Sequence, residues 1–366
     1  MTPLRILHTE AATSFGGQEQ YICRMMHAMR DRGHHVEAVC QPDALLAERL
    51  REDGFIVHTM YMDGPRNFVA GVARIWRILR KGRFDVVNTH SRRDTILAAT
   101  AGRLARTPLI VRTRHLANKV GSLLSYTILP HRVTAVSNFV RQHLIERGVR
   151  ADHVATVYPA VDLPPAPAQS TLRQELHLAQ NDIVIGCVAV MRAQKGHRDL
   201  IDAMVPLIRE RPNVHLVLVG GGSPIFEEVQ AYVAEKGLGK RVHLLGVRRD
   251  VPNLLAGFDI FALATRMEAA GMVFVEAGAA GLPVVGTDVD GVPEMMRAGV
   301  SGLLVPLDDS PALTAGLRKL IDDPQVRRDM GQAGLAFCRH EDRFSAETMA
   351  QRAEACYRRW LTERAS

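Results

Sequence analysis

No run in this chain approaches the ~20 consecutive apolar residues that a membrane-spanning helix requires, and its opening, MTPLRILHTE, turns polar too early for a secretion signal. A cytoplasmic location is the expectation. Cysteine is scarce: Cys23, Cys40, Cys187, Cys338 and Cys356 are odd in number and widely scattered, which excludes a disulfide framework and the short paired spacing of a zinc or redox site. Aromatic residues are only 5% of the chain and do not alternate with the cations, so the stacking surface that single-stranded nucleic acid needs is missing. Nucleic acid is therefore not expected as a partner. Low-complexity segments are also absent, as is any long repeat beyond a duplicated architecture.

What is present is a globular composition, 47% hydrophobic and 23% charged, over 366 residues, a length that one hydrophobic core seldom organises. Two domains are expected. The formal charge of +7 is unevenly spread: residues 1–165 carry 23 Lys and Arg against 14 Asp and Glu, a net +9, and the remainder carries 23 against 25, a net −2. A basic half suits nucleic acid, an anionic membrane or a phosphorylated substrate, and its sign alone does not choose among them.

Apolar runs of strand length recur as LRILHT (4–9), HVEAVC (35–40), FIVHTM (55–60), DVVNTH (85–90) and PLIVRT (108–113), each followed by helical spacing. Continuous Val, Ile and Leu runs separated by helices indicate parallel strands covered on both faces, the pattern of a doubly wound, Rossmann-like sheet. The proline-rich LPPAPAQS (163–170) interrupts the series as a linker. The pattern then restarts with DIVIGCVAV (182–190), VHLVLVG (214–220), RVHLLG (241–246), DIFALA (259–264), LPVVGT (282–287) and GLLVP (302–306). The expected layout is α/β throughout, with a Rossmann-like domain over residues 1–165, a second over 166–342, and a terminal helix over 343–366 packing back toward the first.

Gly16 and Gly17 follow the first strand and precede an amphipathic helix beginning near Gln18. A strand, a glycine turn and a helix N-terminus form an anion-accepting corner, because free N–H groups and the helix dipole favour negative charge; an ordinary tight turn reads the same way. Arg192 and Lys195 stand on the loop after DIVIGCVAV, at the strand end where open parallel sheets bind ligands. They suit a diphosphate, whose leaving charge needs neutralising, as well as they suit a solvated basic loop. In DIFALATRMEAAGMVFVEAGAAGLPVVGTDVDGVPEMM (259–296), Glu268 falls on a loop, Gly271 and Met272 open a helix, and Glu276 lies about one and a half turns inside it. Amides at Gly271, Met272 and Val273 can hold phosphate, while Glu276 can accept hydrogen bonds from a ribose diol. His90 closes the strand DVVNTH, where a histidine can exchange protons or simply cap the strand.

Glu268 and Glu276, with seven residues between them and AAGLPVVGTDVDGVPE following, resemble the donor-site signature of retaining GT-B glycosyltransferases of family GT4. The resemblance runs along the whole chain, adding Gly16 and Gly17, the Arg192 and Lys195 pair, and the late AGVSGLLVP (298–306). It implies two Rossmann-like domains facing across a cleft, and transfer of a sugar, with retention, from a nucleotide diphosphate donor such as a UDP-sugar or GDP-sugar. It also implies roles. Arg192 and Lys195 would hold the diphosphate, Met272 and Val273 would offer it amides, Glu276 would take the ribose and Glu268 the donor sugar. Gly17 would close the site from the opposite domain, His90 would point at the transferred sugar or the acceptor hydroxyl, and Gly16 and Val247 would join the donor-binding set. Beyond the donor no cofactor is implied and no metal, and neither an Asp-x-Asp cluster at a strand end nor a His/Cys ligand set is expected. One departure is that family members often carry Gly and Phe after the first glutamate, where this chain has Ala269 and Ala270 before Gly271, so an altered sugar pocket is expected.

The family's acceptors imply a glycan or lipid-linked saccharide, in lipopolysaccharide or other bacterial surface polysaccharide biosynthesis. RNFVAGVARIWRILRKGR (66–83) reads as a basic amphipathic helix whose apolar stripe is Phe68, Val72, Ile75, Trp76 and Leu79, with a solvated basic face. A cationic first domain can also rest on the anionic inner face of the cytoplasmic membrane as a peripheral protein. Residues 111–133, with Arg112, Arg114, His115 and Lys119, are expected to face the acceptor. Two other readings stay open: a nucleotide-sugar 2-epimerase of the same architecture, and a catalytically silent sugar-nucleotide binder.

Overall fold

The computed structural model describes residues 2–161, 169–340 and 343–365, and most of the linker expected at 163–170 lies outside them. The chain divides into two compact units, Met1–Ala160 with Arg343–Ser366, and Val161–Asp342. The first holds a seven-stranded parallel sheet of β1 (Arg5–Thr9), β2 (His35–Cys40), β3 (Ile56–Thr59), β4 (Val86–Thr89), β5 (Leu109–Arg114), β6 (Arg132–Ala135) and β7 (Val154–Thr156). Its order is β3-β2-β1-β4-β5-β6-β7, so the winding reverses between β1 and β4. The five strands expected in this half form at nearly their expected limits; β1, β2, β4 and β5 are buried along almost their whole length, whereas β3 at the sheet edge is only half-buried, with Ile56 exposed. β6 and β7 were not anticipated, being short and mixed in character.

Behind this sheet, Leu7, Val39 and Val87 meet Ile75 and Leu79 of the helix Gly64–Gly82 and Leu97, Ala98 and Ala101 of the helix Arg92–Ala105. Each large aliphatic side chain so buried contributes about 1.5–3 kcal/mol. The helix Gly64–Gly82 therefore rotates differently from the expected stripe. Ile75 and Leu79 are buried and Val72 packs beside them, while Phe68 and Trp76 stand 37% and 39% exposed and Ile78 turns inward. The reason is Gly71, close against Leu97, which lets the two helices approach along a face centred on residues 71, 75 and 79. The terminal helix Ala346–Ala365 groups with this first unit. It buries Tyr357 and Trp360, Asn88 of β4 donates to the Tyr357 hydroxyl at 2.9 Å, and Glu354 pairs with Arg32 at 2.6 Å.

The second unit repeats the plan with β8 (Ile183–Val188), β9 (Val214–Val219), β10 (Val242–Leu244), β11 (Ile260–Leu263), β12 (Val284–Thr287) and β13 (Gly302–Val305), in the order β10-β9-β8-β11-β12-β13. All pairings are parallel, and the reversal falls between β8 and β11. In a doubly wound sheet, loops leaving the carboxyl ends on either side of that reversal diverge and leave room for a ligand. No described helix is long and apolar enough to cross a membrane.

Candidate active site

The loops at the carboxyl edge of the second sheet are stitched to one another by backbone. The Met191 amide donates to the Gly221 carbonyl at 3.0 Å, the Gly220 amide to the Gly246 carbonyl at 2.8 Å, and the Arg266 amide to the Gln194 carbonyl at 2.7 Å. Two glycines make this approach possible. Gly196 has φ +64°, and a Cβ there would sit 1.8 Å from the Ala264 carbonyl oxygen; Gly220 has φ +139° and would meet the Ala189 carbonyl at 1.9 Å. Neither position accepts a side chain. The Gly220–Gly222 turn was not among the residues expected from sequence, although its GGGS run after a strand was the available signal.

This stitching brings Lys195, just past β8, against Glu268, just past β11, and the ammonium donates to the Glu268 carboxylate in a partly buried ion pair. Glu268 is fixed further by its own amide, which donates to Asp290 at 3.0 Å, and by its carbonyl, which accepts from the Gly291 amide at 3.0 Å. That contact carries a correction. The segment after β12 is an Asp-x-Asp sequence, Asp288-Val289-Asp290, against the expectation of none at a strand end. In the structure an Asp290 oxygen is spent on the Glu268 amide, so it clamps two loops.

Gly271, with φ +72°, caps the helix Met272–Ala279, and the half-buried Met272 and Val273 form its first turn. Glu276 is half-buried within that helix. Phe274 anchors the helix to the sheet, edge-on to Phe261 at 5.7 Å between centroids. Of the other expected residues, Arg192 is exposed on the β8 loop, and Val247 is 78% exposed beyond β10 against the Gly221 turn. The second unit thus gathers Lys195, Glu268 and the Gly271 helix start, with Arg192 and Val247 on the rim.

In the first unit Gly16 caps and Gly17 opens the helix Gly17–Asp31. Glu19 accepts from the Gly16 amide at 2.7 Å, and buried Glu10 accepts from the amides of Ala11 and Ala12 at 2.7 and 2.8 Å and from the Gln18 amide group. Burial, with the Asp94 carboxylate nearby second, pushes the Glu10 carboxyl up to about 8. Asp94 is likewise raised by burial and accepts from the Thr9 hydroxyl and from the amides of His90 and Ser91. Glu10 and Asp94 were not anticipated; a carboxylate just past β1 and an Asp three residues after Ser91, in the first turn of the helix Arg92–Ala105, were the signal. Gly17 has no other atom within 4 Å of the place a Cβ would take, so neither packing nor dihedral angle calls for glycine there.

His90 is 3% exposed, and both its ring nitrogens are occupied: Nε2 shares a proton with His8 Nδ1 at 2.9 Å and Nδ1 with His115 Nε2 at 2.9 Å. Burial first, then the flanking imidazoles, holds it well below the ordinary histidine range. The expectation that Arg112 and Arg114 face an acceptor is corrected. Both are buried, Arg112 bonding Ser125 and lying over the Tyr126 ring at 3.8 Å, Arg114 bonding Tyr126, Leu116 and Asn118. A guanidinium's donors hold an irregular loop together here, and the loop exposes Leu116, Lys119 and Leu124 instead.

Two reversing sheets, with a cation–carboxylate pair and a glycine-capped helix at the carboxyl edge of the second, define a GT-B glycosyltransferase. Comparison with known proteins agrees. Residues 15–164 match the family model Glycosyltransferase Family 4, and residues 182–323 match Glycosyl transferases group 1. The chain belongs to glycosyltransferase family GT4. It is 25% identical, over 87% of its length and 88% of the relative's, to the UDP-Gal:alpha-D-GlcNAc-diphosphoundecaprenol alpha-1,3-galactosyltransferase of Escherichia coli. Among solved structures, an Anabaena protein, HepE, crystallised in complex with UDP-glucose, is 26% identical with a TM-score of 0.83, covering 96% of this chain and 99% of that one. A Rickettsia africae glycosyltransferase has the same fold, with a TM-score of 0.89 at 21% identity and 99% coverage of both chains.

Proposed function

We propose that this glycosyltransferase moves a hexose, with retention, from a UDP-sugar or GDP-sugar to a lipid-linked saccharide during assembly of a bacterial surface polysaccharide. The observation that carries the reading is the Lys195–Glu268 pair set beside the Gly271-capped helix, across the reversal of the second sheet. An ammonium and a helix N-terminus at one strand edge neutralise a diphosphate as it leaves, the charge that grows most in the transition state. Arg192 adds a second cation from the same loop, Met272 and Val273 supply amides, and Glu276 takes the ribose diol. Glu268, held by Lys195 and the Asp290 clamp, faces the donor sugar, and Val247 borders the nucleobase.

These groups balance the leaving charge without a divalent ion, so the chemistry is expected to run in EDTA. The acceptor in the E. coli relative's name, a diphosphoundecaprenol-linked sugar, favours a lipid-linked acceptor, and the +9 charge of residues 1–165 suits both its diphosphate and peripheral contact with anionic lipid. The test is a thermal-shift screen of UDP, GDP, ADP, CMP and their sugars in EDTA, followed by transfer assays on polyprenyl-diphosphate saccharides. Stabilisation by one nucleoside diphosphate series names the base. No shift with any of them, and no transfer, would sink the reading.

A further inference from the structure

Glu10 follows β1 at the winding reversal of the first sheet and is 1% exposed, yet none of its hydrogen-bond partners carries a charge. One oxygen, Oε1, accepts from the amides of Ala11 and Ala12, and the other, Oε2, meets only the side-chain amide of Gln18. The titratable groups whose charge reaches Glu10 are Asp94 on the helix Arg92–Ala105, Glu19 on the helix Gly17–Asp31 and Cys40 at the end of β2, which burial pushes up to about 12 and so keeps as a thiol. No cation is among them. Asp94 is buried as deeply but accepts from four donors, the hydroxyls of Thr9 and Ser91 and the amides of His90 and Ser91. Neighbouring carboxyls in a dry site do not both ionise readily, and the one with more donors keeps the charge. At neutral pH the proton therefore resides on Glu10.

A neutral carboxyl has one O–H, and a buried O–H must find an acceptor. Oε1 already takes two N–H groups, so the proton sits on Oε2, where the Gln18 amide is the only partner. An amide nitrogen at that contact suits a carboxylate, whereas an acid needs the amide oxygen there. The two ends of a side-chain amide have the same shape, so the proton decides which end faces inward. With Gln18 Oε1 accepting from Glu10, the NH2 group turns outward. Gln18 is half-buried, stands one residue past Gly17, and makes no other side-chain hydrogen bond among the described residues, so both N–H groups are left for a ligand.

We propose that Glu10 is kept as a neutral acid whose proton turns the Gln18 amide NH2-outward, so that Gln18 donates a hydrogen bond to a substrate oxygen at the carboxyl edge of the first sheet, with Glu10 as its positioning residue. The inference rests on the transferase reading for its ligand, but the state of Glu10 does not. Infrared spectra of the whole protein test that state: the C=O stretch of a protonated carboxyl is expected at neutral pH, absent from Glu10→Gln and lost in the wild type as pH passes about 8. A wild type without this band at neutral pH overturns the proposal whether or not any sugar nucleotide binds. In transfer assays Gln18→Met, of similar length but without donors, is expected to raise one substrate's KM about tenfold, the scale of one neutral hydrogen bond, and the KM that rises, donor or acceptor, identifies the substrate. The same KM should rise in the wild type above pH about 8, as the amide turns its oxygen outward. Glu10→Leu should raise it at every pH. Glu10→Gln, whose own NH2 donates to Gln18 Oε1 as the acid does, should restore it and remove the pH dependence. An unchanged KM in Gln18→Met, or the wild-type KM–pH curve in Glu10→Gln, overturns the ligand role, while melting curves confirm that each variant folds.

Discussion

Gly17→Ala separates folding from function, because the two should move in opposite directions. The helix Gly17–Asp31 begins at this residue, its φ is not in the left-handed region, and the place of a new Cβ is empty to 4 Å. Replacing glycine where the backbone is already compatible stabilises a protein by about 0.4–1 kcal/mol, mainly by restricting the unfolded chain. For a unit of this size that is a rise of about 1–4 °C in Tm. If the open space is where the donor approaches backbone amides, a methyl group there overpacks the complex by about 1–3 kcal/mol, a loss of about 5- to 150-fold in kcat/KM. The assay pairs calorimetry of the free enzyme with initial rates at subsaturating donor, and Gly17→Leu should lose more than Gly17→Ala. A stabilised Gly17→Ala enzyme with wild-type kcat/KM would refute the placement of Gly17 in the site.

Lys195→Ala and Glu268→Ala should each lower kcat by about 100-fold or more, since each leaves the other's charge uncompensated beside the reacting bond, and near-normal turnover in both would overturn their roles. Glu276→Ala should act chiefly on donor KM, raising it about tenfold as a ribose hydrogen bond is lost, with kcat largely kept; an unchanged KM would remove Glu276 from the ribose. Gly196→Ala should destabilise the second unit by at least about 1–2 kcal/mol from its left-handed φ alone, and more from the overlap with Ala264, as read from urea midpoints. Glu10 is raised to about 8 in the folded state, so the native chain holds a proton that the unfolded one releases, and this group's contribution to stability falls as pH rises from about 4.5 to about 8. Glu10→Gln, which keeps an acceptor for Ala11 and Ala12, should flatten that fall, and parallel Tm–pH curves for the two proteins would contradict it. The neutral histidines act the other way, costing stability as pH falls from about 6.5 toward about 3.

The strands were legible in the sequence because a parallel strand buried on both faces has to be apolar at nearly every position, and HVEAVC and VHLVLV say so without help from the rest of the chain. The two-unit layout and the glycine-capped helix at Gly271 followed from the same local physics, and Glu268 and Glu276 were placed by their spacing along one loop and helix. Arg132–Ala135 was not legible, because RVTA alternates polar and apolar residues and offers no continuous apolar run. Side-chain direction was not legible either. Arg112 and Arg114 turn inward because a loop needed donors, and Trp76 turns outward because Gly71 chose another face for the helix. Lys195 meets Glu268 across 73 residues only because β8 and β11 are neighbours at the reversal of the sheet. His8 stands within β1 and His90 and His115 just past β4 and β5, and register alone brings the three together. Local pattern determines which residues form an element and stand at its end, since that depends on the chain's own burial and dihedral preferences. Which ends meet depends on strand order and register, and these are decided by contacts between segments that no single stretch of sequence contains.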